Sequence, residues 1–180
     1  LLINASGDGL DANGSIIING GYIVVLGPTS DGDTAIDYDD SCTINGGTVM
    51  AFGSSGMLEI PKGASNGACI VTAFTSVSGG SKYTLSDSNG NEILSYTPSK
   101  AYAAAIVYSD KITTGNTYDI TAGSTTLSIE VTSDVTSNVS SGLGKAGGMN
   151  MPGNGGSGMP NNGSSDNGMN GNSNGSMPDM

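Results

Sequence analysis

Two stretches of this chain, Leu10–Gly27 and Ile36–Gly53, match at a constant offset of 26 residues. Asp11 and Asp37, Ile18 and Ile44, Asn19 and Asn45, Gly20 and Gly46, Gly21 and Gly47, and Gly27 and Gly53 all coincide. A period in the twenties, made of short β-prone runs broken by Asn-Gly-Gly, predicts one turn of a solenoid per repeat. Leucine-rich repeats share the period but need a leucine ladder that is absent here, so a parallel β-helix coil fits better. Asn-Gly is also a hairpin signal, which makes antiparallel hairpins over 10–53 the competing reading. The constant register favours the helix.

Within each repeat two short strands flank the Asn-Gly-Gly corner. Positions 16/42, 18/44, 23/49 and 25/51 are Ile/Cys, Ile/Ile, Ile/Val and Val/Ala, apolar in both copies. Period-2 alternation points them inward, where they stack rung on rung. Positions 17/43, 22/48 and 24/50 vary in polarity as an outward face does, and Leu26 and Phe52 share that parity. Corners need positive φ or close approach between rungs, which Asn and Gly accept at least cost.

The chain divides into three zones. Residues 1–67 read as the carboxyl-terminal coils of a parallel β-helix. Residues 68–136 lose the period but keep β character, with expected strands at Cys69–Val77, Lys82–Leu85, Glu92–Tyr96, Tyr102–Tyr108, Thr117–Thr121 and Thr125–Val131. This zone reads as a small antiparallel cap or sandwich, although propensity alone allows a short helix over Ala101–Ile106. Residues 137–180 are dominated by Gly, Asn, Ser, Pro and Met with no periodic apolar face, and predict a disordered tail. The fold class is therefore all-β. Two coils bury too little core to stand alone, and Leu1-Leu2-Ile3 is no signal peptide, so the chain reads as a fragment whose upstream coils are missing. Its open coil ends predict a capacity for self-assembly.

Sixteen Asp and Glu against five Lys, with no Arg or His, give a net charge of −11. That lacks the basic surface nucleic acid requires. The absence of His removes Ser-His-Asp and Cys-His catalysis from this chain. An acid pair such as Asp37 with Asp39 or Asp40 remains conceivable for glycoside hydrolysis, but no aromatic-lined cleft is evident around it. No apolar run is long enough to span a membrane as a helix. Cys42 and Cys69 sit in separate β-like runs and read as buried small hydrophobes, with a mutual disulfide as the alternative.

Asp8, Asp11, Asp31, Asp33, Asp37 and Asp39 cluster in the repeat zone, with Asn13 beside them. In a solenoid Asp11 stacks directly on Asp37, and two carboxylates so close call for a proton or a cation. Hard oxygen ligands on loops suit Ca²⁺, and these seven residues are its candidate ligands. The alternative is that they are solvated corner residues or cap strand ends through their side-chain oxygens. Sugar binding needs flat apolar surface with polar edges. Tyr22, Tyr38 and Phe52, with Met50, are the candidates on the outer wall.

The run Gly7–Gly21 (GDGLDANGSIIINGG), followed one repeat later by Ala35–Met57 (AIDYDDSCTINGGTVMAFGSSGM), resembles a carbohydrate-binding domain family. That family is typified by a clostridial cell-surface protein with a polysaccharide-lyase-like right-handed parallel β-helix. The likeness extends over residues 4 to about 132, through Leu85-Ser86-Asp87 and Gly115-Asn116-Thr117-Tyr118. It implies an extracellular or cell-surface, calcium-stabilised, non-enzymatic binder of pectic or cellulosic wall polysaccharide. It further implies that Asp8, Asp11, Asn13 and Asp37 hold the calcium. Thr34 stands where the repeat would place a second Asp8, a departure from the pattern. A structural subunit of an extracellular fibre or matrix is the alternative expectation.

Overall fold

The computed structural model describes residues 1–139, so the expected tail lies outside the described residues from position 140 onward. The first 64 residues supply eight short strands: β1 (Leu2–Asn4), β2 (Leu10–Ala12), β3 (Ser15–Ile18), β4 (Tyr22–Leu26), β5 (Ile36–Tyr38), β6 (Ser41–Ile44), β7 (Thr48–Gly53) and β8 (Gly63–Ala64). The next 73 or so are ordered as β9 (Ala68–Val77), β10 (Tyr83–Asp87), β11 (Glu92–Tyr96), β12 (Tyr102–Ser109), β13 (Thr117–Ala122), β14 (Thr125–Glu130) and β15 (Val135–Ser137). The fold is all-β, with parallel, antiparallel and mixed sheets. Among the described residues no helix is long and apolar enough to cross a membrane.

The 26-residue offset is an offset of strand pairing. Leu10 pairs with Ile36 and Asp11 with Asp37 in the parallel pair β2–β5. Ile16 pairs with Cys42 in β3–β6, and Tyr22 with Thr48 in β4–β7, both also parallel. The antiparallel hairpins that Asn-Gly-Gly also allowed do not form, since no two successive strands of this zone pair. Side chains reinforce the register. Asn45 donates its amide to the Asn19 side-chain oxygen at 2.9 Å, and the hydroxyls of Ser15 and Ser41 meet at 2.9 Å. The strands β2 and β5, which sequence pattern did not resolve, are held by the same register.

The parallel strands β1, β4 and β7 continue into β12, β9 and β15 as one six-stranded mixed sheet. β12 lies antiparallel between β7 and β9, and β15 runs parallel to β9. Within the segment 101–106, Tyr102 onward is therefore strand, as its β-branched continuation Ile106-Val107 favours. This sheet is a wall with a core on each side. Val49, Ala51, Cys69, Val71, Ala104 and Ile106 pack on one face with Ile36, Cys42 and Ile44 from the two smaller parallel sheets. Val24, Leu26, Met50, Phe52, Ile70 and Val107 pack on the other, against Tyr83, Leu85, Tyr118 and Ile120 of the antiparallel sheet β11-β10-β13-β14. The outward parity of Met50 and Phe52 thus faces a second core. Both cysteines are buried free thiols.

The Asn-Gly-Gly corner explains its own composition. Gly47 has φ +91°, and a Cβ there would come within 2.3 Å of the Gly21 carbonyl oxygen. Stacked corners this close admit no side chain on the upper layer. Gly20 meets nothing within 4 Å and has no positive φ. Gly47→Ala should therefore lower stability by roughly 2–4 kcal/mol, combining backbone strain with overpacking. Gly20→Ala should leave the thermal midpoint within a degree or two, and equal midpoints for the two variants would refute this account of the corner.

Candidate functional site

The loops that close each repeat converge on a polar cleft. The segment after β4 brings Thr29 and Asp31, the segment after β7 brings Ser54 and Ser55, and the end of β9 brings Thr75 and Ser76. The start of β12, Ala101–Ala103, forms its floor, and the cavity holds about 220 Å³. Its geometry is fixed by bonds between successive layers. The Asp31 carboxylate accepts the Gly56 N–H at 3.1 Å, and the Ser54 hydroxyl donates to the Asp33 carbonyl at 2.9 Å. Gly56 is glycine because a Cβ would lie 2.4 Å from the Asp31 Cβ. The hydroxyls of Thr29, Ser55, Thr75 and Ser76 make no hydrogen bond among the described residues. They are the uncommitted donors and acceptors of the cleft.

The aspartates named from the sequence are spread over different tasks. Asp8 accepts the Thr34 N–H at 2.8 Å across the 26-residue offset. Thr34 thus occupies the equivalent of Asp8 as the residue being capped. Asp11 and Asp37 are direct partners in β2–β5, as the repeat predicts. Asp39 donates its N–H to the Ala12 carbonyl at the next corner, and Asn13 is exposed beside it. Asp31 lines the cleft, whereas Asp33 is not among its lining residues and accepts the Ser54 hydroxyl through its carbonyl. Among the described residues no three His, Cys, Asp or Glu side chains come together in a group that could hold a metal. Asp8 and Asp31 sit on separate loops, each with one carboxylate oxygen on a backbone N–H group.

Of the proposed sugar contacts, only Tyr22 stands open, with 56% of its surface exposed on β4. Tyr38 and Phe52 do not belong to an outer wall. Tyr38 donates its hydroxyl to the Ile60 carbonyl and its N–H to the buried Glu59 carboxylate at 3.0 Å, while the Lys62 ammonium stands 5.7 Å from its ring centre. Phe52 meets Tyr83 and Tyr102 edge-on at 5.4 and 5.1 Å and stacks on Tyr96 at 6.0 Å. Neither ring keeps a face for a ligand, and Met50 is fully buried with them. The cleft itself went largely unread in the sequence, because Thr75 and Ser76 lie outside the repeat. Of its lining residues only Asp31 was named from the sequence, as a candidate metal ligand.

No family model matches the chain, and neither a curated protein nor a solved structure matches it.

Two outcomes follow from these bonds. Asp8→Ala leaves the nearly buried Thr34 N–H without its acceptor, and should cost about 1–3 kcal/mol in chemical denaturation. Asp8→Asn retains an oxygen and should recover most of that loss; equal losses would show that the oxygen does not matter. Burial, reinforced by the Glu59 carboxylate, pushes the Tyr38 phenol up to about 12 and the Cys42 thiol up to about 11. Burial alone takes Tyr102 to about 12. Each group is neutral when folded and ionises more readily when unfolded, so its contribution is complete below its ordinary value and lost as pH rises through the folded one. Stability should hold up to about pH 9, then fall through pH 12, and a thermal midpoint flat across that interval would contradict the assignment.

Proposed function

We propose that this chain is an extracellular, non-catalytic module that holds cell-wall polysaccharide in the cleft between the repeat loops and the β9 end. The observation that carries this reading is the set of four uncommitted hydroxyls, Thr29, Ser55, Thr75 and Ser76, fixed around a cavity of about 220 Å³. Hydroxyls both donate and accept, which matches the alternating donors and acceptors around a sugar ring. Their carriers sit on strand ends and on loops bonded between layers, so little ordering entropy opposes binding. The chain carries no histidine, and the acids named as a hydrolytic pair lie on the β2–β5 side rather than in the cleft. In the finer reading the three parallel pairings at one offset are successive turns of a right-handed parallel β-helix, with the antiparallel sheet laid over one wall. The parallel register in all three supports it.

A second reading, a structural subunit that assembles through its ends, draws on one observation. At the amino-terminal layer β1, β2 and β3 each have a neighbour on one side only. Among the described residues the exposed large apolar side chains are Leu1, Leu2 and Ile17 on or beside these strands and Tyr22 at the start of β4. Head-to-tail stacking also requires an open far layer, however. There Glu59 satisfies the Tyr38 N–H, β8 pairs with β6, and β12 covers β7. These bonds cap part of the far layer, where β8 and β15 are edge strands, and the hydroxyls of the cleft rank polysaccharide binding first.

The test is retention of the protein on insoluble wall polysaccharide, alongside light scattering over a hundredfold range of protein concentration. Retention with a concentration-independent mass is the expected outcome. Growing particles with no retention would reverse the order of the two readings.

A further inference from the structure

Resting on the polysaccharide reading, we propose that the cleft takes a neutral sugar chain by direct hydrogen bonding, with no divalent cation bridging protein and ligand. The charges around it carry the argument. Asp31 is the one carboxylate among the cleft residues, and it already accepts the Gly56 N–H. No lysine lines the cleft. Lys100, adjacent in sequence to its floor, gives its ammonium to the carbonyls of Ala5 and Gly27. Lys82 is paired with Glu92 at 2.9 Å, and Lys62 is bonded to the Asp40 carbonyl. Lys111 stands with Asp87 and Tyr118 at a different cavity. A uronate carboxylate placed in the cleft would therefore face Asp31 with no lysine among the described residues to offset it. The chain's net charge of −11 adds to that repulsion at long range.

A bridging calcium would need several oxygens free on one side of the cleft, six to eight in all with those of the ligand and water. The aspartates do not provide them. Asp8 caps Thr34, Asp33 does not line the cleft and its carbonyl accepts the Ser54 hydroxyl, and Asp11 and Asp37 stack in the separate pair β2–β5. What remains in the cleft is neutral and bifunctional, the chemistry that recognises hydroxyls rather than carboxylates. The expected ligand class is a neutral glycan, bearing hydroxyls and no carboxylates.

Affinity electrophoresis of the full chain tests this in gels containing soluble β-glucan, xylan or polygalacturonate, each run with chelator and with added calcium. Retardation by a neutral polymer in the presence of chelator is expected. The double substitution Thr75→Val with Ser76→Ala, at exposed positions, should weaken it about tenfold, as the loss of two hydrogen bonds implies, at an unchanged thermal midpoint. Retardation by polygalacturonate alone, or only with calcium, would overturn the proposal while leaving polysaccharide binding in place. Neutral binding that ignores the double substitution would overturn the assignment to this cleft. Retardation by none of the polymers would remove the polysaccharide reading itself.

Discussion

At five places where the backbone ladder leaves an N–H unpaired, a side-chain oxygen from a distant part of the chain accepts it. Asp8 serves Thr34, Asp31 serves Gly56, Glu59 serves Tyr38, Asp134 serves Ala64 and Asn138 serves Ala73. Each bond joins residues at least twenty positions apart in sequence. Polar backbone in the interior is costly unless satisfied, and short strands joined by loops leave many such groups outside the strand ladders. The acidic composition thus has a structural basis before any ligand is considered. Carboxylates are acceptors only, and a fold whose unpaired groups are N–H donors has use for many of them.

That same requirement shapes the cleft. Its walls come from loops that would otherwise be free to move, and the Asp31 bond to Gly56 and the Ser54 bond to Asp33 tie one layer's loop to the next. Once those two groups are spent on architecture, the hydroxyls left over are the ones able to meet a ligand. Function here is read from what the packing leaves uncommitted.

The register of the first zone was legible because it is written as identity at one offset, with Asn19 over Asn45 and Gly21 over Gly47. Five of the six strands expected after residue 68 were legible to within about two residues because Gly and Asn turns bound them, and the sixth, β12, because Ile106-Val107 outweighs the helical bias of its alanines. The short β2 and β5 were not, since three residues carry no alternation to recognise. The fates of Tyr38 and Phe52 were hidden for a different reason. Parity says which face of a strand a residue occupies, whereas only the tertiary arrangement says what covers that face. Phe52 sits on the expected side of β7, and the antiparallel sheet sits on Phe52. Tyr38 is drawn inward by Glu59 and Ile60, twenty-one and twenty-two residues ahead and outside the repeat. The stacking of Asp11 on Asp37 was legible, but the diversion of Asp8 and Asp31 to backbone caps depends on loop paths that the repeat does not encode.

The six-stranded wall links these observations. Along β7 alternate residues enter different cores, Val49 and Ala51 on one side and Met50 and Phe52 on the other. β12 and β9 do the same with Ile106 and Val107, and with Val71 and Ile70. Neither core can loosen while the other stays intact, because each uses the reverse side of the same three strands. The repeat zone and the segment that follows it therefore share one melting transition, and amide protons at the centre of β12 exchange only when the whole ordered region opens.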